Sequence, residues 1–498
     1  MKIMVKNLMK MYMKPGIFYI LSLIFLFALP AFAHTHDAEL DQWEPYALAD
    51  VTRESYQGDL DGMIERRLIR VLVTYSKTHF FVDQGTQRGF THDLFSTFED
   101  ELNRKLKNGH IGVKVVFIPV GRGELETALL EGRGDVAAAN LAITPGRLQD
   151  VDFTDPIFRD VKEIVVTGPG SPDISRVEDL SGKEVYVRRS SSFYESLEKL
   201  NAELKKAGKA PVRVVPAPEE LEAEDILEMV NAGLIKITIA DNHIAGFWQQ
   251  IFENITLHPE AHLKTGRNIA MMIRKNSPQM KNELNEFIAG YPEGSKQRNL
   301  LLQKYLKSTR YARDMTSDED MARFQAMVDL FQKYAGLYEL DYQLMMAQGY
   351  QESRLDQNAR SPAGAIGVMQ VLQSTGQEMN VGDINELEPN IHAGVKYVRF
   401  MKDHYYADES MDRLNQMLFA VASYNAGPAR ISRLRREAAE RGLDPNRWFN
   451  HVEVVAAERI GRETVQYVSN VYKYYLTYRM IMEQAQRRDR VKDHLLIQ

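Results

Sequence analysis

Short runs of β-branched and aliphatic residues alternate with amphipathic stretches from Leu68 to about Ile288. Ile69–Val73, Val113–Val120, Val136–Asn140 and Glu184–Val187 read as strands, and the stretches between them as helices. This alternation predicts an α/β domain with a largely parallel sheet, because a helix is the usual connection between parallel neighbours. Gly168-Pro169-Gly170-Ser171-Pro172 is a dense turn signal, expected where one lobe hands over to another. A late return strand, Asn268–Ile273, precedes Ser277-Pro278 and a helix carrying Met280, Leu284, Phe287 and Ile288. Two lobes joined by crossing strands would enclose a closable cleft.

The pattern changes after Ser308. A polar segment leads to Thr316-Ser317-Asp318-Glu319-Asp320, which has the hydroxyls and acids of a helix start, and Phe324, Met327, Val328 and Phe331 then recur at helical spacing. Val395–Met401, Leu414–Val421 and Val465–Leu476 also read as helices, and strand-like runs become scarce. The chain is therefore expected to be multidomain. The predicted division is a signal segment at 1–33, a leader at 34–64, an α/β domain at 65–305, a linker at 306–318 and a mostly α domain at 319–498.

The amino terminus carries its own signature. Lys2, Lys6, Lys10 and Lys14 precede an apolar run from Ile17 to Leu29, and Ala31 and Ala33 supply a small-x-small cleavage pattern. The run is shorter than the roughly 20 residues that a membrane helix needs, so a cleavable export signal and a periplasmic mature chain are expected, with an uncleaved anchor as the alternative. Among the 498 residues, 62 Lys+Arg stand against 68 Asp+Glu, a net charge of −6 that gives no basic field for nucleic acid. The absence of cysteine excludes disulfides, thiol catalysis, zinc-thiolate sites and a lipid-modified cysteine. Any association with the outer membrane would have to be peripheral. No metal or cofactor is expected.

Chemistry must then rest on carboxylates, hydroxyls, amides, imidazoles and guanidiniums. The densest cluster of such groups is Gln351-Glu352-Ser353-Arg354, followed by Ser361-Pro362-Ala363-Gly364-Ala365-Ile366-Gly367-Val368-Met369-Gln370 and by Ser423-Tyr424-Asn425-Ala426-Gly427. Glu352 ends an apolar helical pattern with Leu344, Met345 and Ala347. A carboxyl partly covered by apolar side chains loses hydration and shifts upward in pKa, as a general acid requires; a capping or surface glutamate is the plainer alternative.

The ordered set resembles the catalytic domain of soluble lytic transglycosylases, related in fold to goose-type lysozyme. The resemblance rests on Glu352-Ser353, Ser361, Gly367-Val368-Met369-Gln370, Tyr424-Asn425 and Glu463-Thr464-Val465-Gln466-Tyr467-Val468, and covers roughly Phe324 to Tyr475. Val368 stands where the family has leucine, and Ser423 where it has alanine. The resemblance implies Glu352 as the catalytic acid, Ser361, Gln370, Tyr424, Asn425 and Tyr467 as substrate-binding residues, and Tyr467 close to the acid. It implies cleavage of the β-1,4 bond between N-acetylmuramic acid and N-acetylglucosamine without water, giving a 1,6-anhydro product. A hydrolase of the lysozyme kind would need a second carboxylate, and Asp356, four residues on, is the nearby acid in sequence. Met369 reads as core. Tyr472, Tyr474, Tyr475 and Tyr478 read as helix packing, or as a sugar-stacking wall.

Residues near 65 to 290 resemble periplasmic solute-binding proteins of the amino-acid type, through Gly132-Arg133-Gly134-Asp135 and the run from Val136 to Arg147 that ends in Thr144-Pro145-Gly146-Arg147. By this resemblance Thr144 and Arg147 would hold a ligand carboxylate, Ser191, within Ser190-Ser191-Ser192, would form the second-lobe turn, Asp241 would bind the ligand amine, and Phe80 and Phe81 would line the cleft. Arg147 could instead pair with Asp150 or Asp152, and Asp241 could cap a helix. The domain order resembles that of membrane-bound lytic transglycosylases of the F type. Its expected partners are peptidoglycan glycan strands and an amino acid or muropeptide that closes the receptor lobes. A binding or sensor protein with a glycan-docking domain and a hydrolytic lysozyme remain as the other readings.

Overall fold

The computed structural model describes residues 54–83, 85–107, 111–309, 318–407 and 410–497. The export segment and the leader up to residue 53 lie outside the described residues.

The α/β region opens with helix α1 (Leu60–Glu65), capped by the Asp59 carboxylate, and strand β1 (Leu68–Val73). A short hairpin, β2 (Phe81–Asp83) and β3 (Thr86–Arg88), precedes α2 (Phe90–Leu106), β4 (Lys114–Pro119), α3 (Leu125–Leu130), β5 (Val136–Ala142) and β6 (Val151–Phe153). The chain then crosses on β7 (Phe158–Thr167) and builds β8 (Glu184–Arg188), α4 (Ser192–Lys206), β9 (Arg213–Ala217), α5 (Ala223–Asn231), β10 (Ile237–Asp241) and α6 (Asn242–Trp248). It returns on β11 (Thr256–Arg274) before α7 (Pro278–Ala289) and α8 (Lys296–Leu302). The sheet runs β4-β1-β5-β11-β7-β10-β8-β9, with β6 also on β11.

The sheet is mixed rather than largely parallel. β1 pairs in parallel with β4 and β5, and β8 with β9 and β10, as helix-connected strands should. β7 and β11 run antiparallel to each other and to their other neighbours, because each carries the chain from one lobe to the other in opposite senses. The first half of β11 pairs with β7 and its last turns pair with β5 and β6, so one strand belongs to both lobes. The handover is therefore made by β7 itself. Gly168–Pro172 lies beyond it, inside the second lobe, where the Gly168 amide and the Ser171 hydroxyl both donate to the Lys236 carbonyl.

Asp135 shows what the Gly-Arg-Gly-Asp motif does physically. Its fully buried carboxylate takes the guanidiniums of Arg70 at 3.0 Å and Arg66 at 2.5 Å, with Arg274 at 3.7 Å, and it also accepts from the Arg70 amide at 2.8 Å. It fastens β1, the start of β5 and the end of β11 together. A side chain at Gly134 would place its Cβ 2.3 Å from Leu72 Cγ, so glycine is required for this approach. The first-lobe core consists of Ile69, Val71, Val73, Phe80, Phe95, Phe98, Val115, Phe117 and their neighbours. Phe80 and Phe81 are fully buried: Phe80 stacks on Phe117 with centroids 4.9 Å apart, and Phe81 meets Tyr305 edge-on at 6.3 Å. They pack the core instead of lining the cleft, which is the usual fate of an aromatic pair between strands.

The second region is helical: α9 (Asp318–Leu337), α10 (Tyr342–Ser353), α11 (Gln373–Met379), α12 (Leu387–Tyr405), α13 (Arg413–Ala426), α14 (Pro428–Glu440), α15 (Glu453–Ile460) and α16 (Arg462–Ile497). α10 is its axis, with every residue from Leu344 to Tyr350 buried. Asp341 caps it, accepting from the Gln343 amide at 2.8 Å, while its second oxygen takes the Tyr475 hydroxyl of α16 at 2.8 Å. Gly349 allows Phe331, Leu355 and Met369 to close on the helix, since a Cβ there would stand 3.1–3.2 Å from all three. Tyr472, Tyr475 and Tyr478 are buried and Tyr474 meets Tyr350 edge-on, so this run packs α16 and forms no sugar-stacking wall.

The two regions touch through defined contacts. Arg67 pairs with Glu453 at 2.7 Å, Lys473 lies 3.6 Å from Glu99, and the Tyr478 hydroxyl donates to the Gly85 carbonyl between β2 and β3. Farther along α16, Val491 packs against the second-lobe cluster of Ala217, Leu221 and Ile226.

Candidate active site and receptor cleft

α10 stops at Ser353, where Arg354 and Leu355 both adopt left-handed backbone angles, φ 60° and 61°. Gln370 does the same at 46°. Such conformations cost non-glycine residues roughly 1–3 kcal/mol each and persist where the surroundings over-determine them. Here the surroundings are explicit. Ser353 Oγ lies 2.8 Å from the Val368 carbonyl and accepts from the Asp356 amide at 3.1 Å. Fully buried Asn390 accepts from the Met369 amide at 2.9 Å and donates to the carbonyls of Ile366 at 2.8 Å and Ile384 at 3.0 Å. Gln357 accepts from the Val368 amide at 3.2 Å. Gly367, at φ +73°, could carry no Cβ, which would fall 2.5 Å from Asn390 Nδ2. The Gly367–Gln370 stretch is thus pinned against the end of the helix that bears Glu352.

Glu352 is half-buried, and Tyr467, near the start of α16, donates to its Oε1 at 2.5 Å. Burial lifts the carboxyl from its ordinary 4.5 to about 7, and the Tyr467 hydrogen bond pulls the other way. No ion pair to Glu352 exists among the described residues. Tyr467 is held well above its ordinary value by burial and by the negative charge of Glu352, so it stays a neutral donor. Tyr424, at the end of α13, is pushed up by burial and then by Glu352, and donates to the Met369 carbonyl at 2.7 Å. Glu352, Tyr467 and Tyr424 therefore form one desolvated group around a single carboxyl.

The other expected site residues are held by hydrogen bonds of their own. Exposed Asn425 accepts from Thr464 at 2.8 Å, tying α13 to α16. Ser361 closes its own turn, accepting from the Ala365 amide at 3.0 Å. The Gln370 amide donates to the Gly367 carbonyl at 3.0 Å. Asp356 is exposed beyond the helix end and accepts from the Asn358 amide at 2.8 Å, so it does not share a helix face with Glu352. The sequence reading missed Asn390, which has no motif of its own. It also missed a row of rings that leads from Tyr424 along α12: Tyr397 meets Tyr424 edge-on at 5.5 Å and stacks on Phe400, which stacks on His404. Phe400 is 45% exposed, and the i, i+3, i+7 spacing was the available signal.

The receptor cleft lies between the two lobes of the α/β region. Arg147 makes no ion pair among the described residues, with Asp150, Asp152 or any other acid; it donates to the carbonyls of Ala142 at 2.9 Å and, across the cleft, Ser190 at 3.2 Å. Thr144 is buried and accepts from the Arg147 amide at 3.3 Å. Ser191 caps α4, accepting from the Tyr194 amide, and donates to the Arg188 carbonyl at 2.6 Å. Asp241 is held by Arg267 at 2.7 Å and by Asn140 at 2.9 Å, and makes no helix-cap hydrogen bond. Arg122 and Glu222 bridge the lobes with a nearly buried pair at 2.6 Å. Sequence gave no notice of Arg122, Arg188 or Arg267, since the partner of a charge is set by tertiary placement.

Comparison with known proteins accords with this division. Residues 69–308 match the model for bacterial extracellular solute-binding proteins, family 3, and residues 329–445 match the transglycosylase SLT domain. A membrane-bound lytic murein transglycosylase F of Desulfosudis oleivorans is 28% identical over 428 residues, covering 82% of this chain and 89% of its own. Proteins of the same name from Pseudomonas fluorescens Pf0-1 and Shewanella woodyi are each 27% identical, covering 84% and 83% of this chain and 85% of their own. Among solved structures, an ancestral arginine-binding protein bound to arginine aligns over 48% of this chain and 97% of its own at 24% identity, with a TM-score of 0.39. Both domains are matched in this order, and across four fifths of its sequence the chain is similar to proteins named membrane-bound lytic murein transglycosylase F.

Proposed function

We propose that the chain is a peptidoglycan lytic transglycosylase in which Glu352 acts first as acid and then as base. The neutral carboxyl protonates the glycosidic oxygen as the bond to the muramic anomeric carbon breaks. The resulting carboxylate removes the proton of the muramic 6-hydroxyl, whose oxygen closes on that carbon to give the 1,6-anhydro ring. Glu352 returns to its protonated state, and no water enters. The observation that carries this reading is a desolvated carboxyl, raised to about 7, with Tyr467 as its hydrogen-bond donor and, among the described residues, no other acid contributing to the shift. A carboxyl poised near neutrality can both give and take a proton at modest driving force.

Within the same proposal, Tyr467 orients the carboxyl, and Ser361, Gln370, Tyr424 and Asn425 contact the glycan. The export segment at 1–33 and the division into receptor, linker and catalytic domain belong to it too, with the mature protein in the periplasm. Among the described residues no helix is long and apolar enough to cross a membrane, and the proposed membrane association is peripheral. Regulation of glycan cleavage by an amino acid or muropeptide in the receptor is part of the reading, and equal turnover at every ligand concentration would remove it.

The test is mass spectrometry of peptidoglycan digested with the protein and with Glu352→Gln, which keeps the shape and removes the proton. Anhydro-muropeptides from the parent and a loss of about 10³-fold or more in the variant are expected. Reducing-end products would indicate hydrolysis, and near-parental turnover of the variant would reject Glu352 as the acid.

A further inference from the structure

The cleft between the lobes holds a cavity of about 50 Å³ whose lining includes Arg122, Arg147, Arg188, Arg267 and Asp241. The charges on this wall are not equivalent. Arg122 is matched by Glu222, with contacts of 2.6–3.1 Å. Arg267 is matched twice, by Asp241 at 2.7 Å and Glu163 at 3.0 Å, and its other nitrogen donates to Ser192 at 2.6 Å. Asp241 is the one carboxylate on the lining among the described residues, and both its oxygens are engaged, by Arg267 and Asn140. A ligand ammonium arriving there would meet a neutralised carboxylate and a fixed guanidinium of its own sign.

Arg147 and Arg188 are different. Neither makes an ion pair among the described residues. Arg147 spends its donors on two carbonyls, and Arg188, 5% exposed, donates to the Leu221 carbonyl while its buried Nε has no hydrogen-bond partner among the described residues. Of the acids near them, Glu222 pairs with Arg122, Glu219 takes the Ser190 amide, Glu224 the Lys77 amide and exposed Glu195 the Thr144 hydroxyl, while Glu126 acts on Arg147 through space without an ion pair. A buried guanidinium without a countercharge is costly, and an anion supplied from outside relieves that cost. Arg147 follows β5 in the first lobe and Arg188 ends β8 in the second, so two guanidiniums without a direct ion pair among the described residues stand on opposite walls. Planar guanidiniums suit carboxylates in particular.

We infer that the receptor cleft takes a small dicarboxylate without a free ammonium group, one carboxylate on Arg147 and the other on Arg188. The inference rests on the reading of the α/β domain as a small-molecule receptor and replaces the amino acid of that reading with a ligand that lacks the ammonium group. Matched pairs isolate the ammonium: succinate against L-aspartate, and glutarate against L-glutamate, titrated calorimetrically into the full chain, with L-glutamine and L-arginine alongside. Succinate or glutarate should bind at least tenfold more tightly than its amino counterpart. Arg188→Gln should weaken the dicarboxylate at least tenfold, and Arg188→Lys, which keeps the charge, should recover part of the loss. Tighter binding of any of the free amino acids overturns the inference and leaves the receptor reading standing. Heat from none of the probes overturns both, while muropeptide release, measured separately, continues to report on the catalytic domain. An unchanged dicarboxylate affinity in a folded Arg188→Gln protein also overturns it.

Discussion

The catalytic group and the receptor cleft both bury charge, and they handle it in opposite ways. Around Glu352 the surroundings are hydroxyls and apolar side chains, so the group answers desolvation by holding its proton up to about pH 7. In the cleft, Arg122 and Arg267 are met by carboxylates in direct ion pairs, Glu222 on the one and Asp241 and Glu163 on the other, although burial pushes the Glu163 carboxyl upward. A lone buried carboxyl has a neutral form close at hand, whereas a guanidinium does not, so the same desolvation yields a proton donor in one place and a demand for countercharge in the other.

The contrast can be broken most forcefully at the lobe-bridging pair. Glu222→Gln leaves the Arg122 guanidinium buried against a neutral amide, and should cost about 3–5 kcal/mol of local stability. Hydrogen exchange by mass spectrometry should show faster exchange on both sides of the cleft and little change around α10. Unaltered exchange would mean that the pair contributes no net stability.

The opposite sign is expected at the acid. The folded-state pKa of Glu352 is raised, so the native protein loses stability as pH climbs from about 4.5 to about 7 and the carboxyl is forced to ionise in place. Glu352→Gln removes that penalty. It should gain up to about 3 kcal/mol over the parent above pH 7 and nothing below pH 4, as read from denaturation at both pH values. A variant destabilised at pH 8 would contradict the desolvation account.

Tyr467→Phe sharpens the same point. Loss of a hydrogen bond to an ionisable partner is worth about 1.5–3 kcal/mol, so turnover should fall roughly 10- to 100-fold. Because the bond lowers the Glu352 pKa, the alkaline limb of the pH–rate profile should move to higher pH in the variant. A limb that moves down would reverse the assigned role. The smallest effect belongs to Asp356→Asn: an exposed loop carboxylate remote from the acid's hydrogen bonds should leave turnover within about twofold. A large loss there would revive the two-carboxylate hydrolase.

Legibility from sequence followed the range of the forces involved. β1, β4, β5 and β8 were readable because their apolar runs are local and continuous, and the helices after Ser308 because a 3.6-residue spacing repeats. Glu352, Tyr424 and Tyr467 were named through the family resemblance that their ordered motifs carry, although 115 residues separate the acid from its hydrogen-bond donor. The antiparallel passage of β7 and β11 was not readable, since strand direction depends on which lobe the chain is leaving. Phe80 and Phe81 were misplaced because an aromatic pair looks the same whether it lines a cleft or fills a core. Arg267 escaped notice because nothing local tells an arginine which carboxylate it will meet, and its pairing with Asp241 alters the meaning of a motif residue that was read in isolation.

Helix α16 carries Tyr467 in its opening turns, reaches the hairpin carbonyl of Gly85 through Tyr478, and ends against Ala217, Leu221 and Ile226 through Val491. At 1.5 Å per residue, the stretch from Tyr467 to Val491 is an inextensible rod about 36 Å long. Laid across a hinge, a rod of fixed length cannot follow both leaves of the hinge when they part. One footing must slip, or the whole rod must roll, and a roll would carry the phenol that grips the acid along with it.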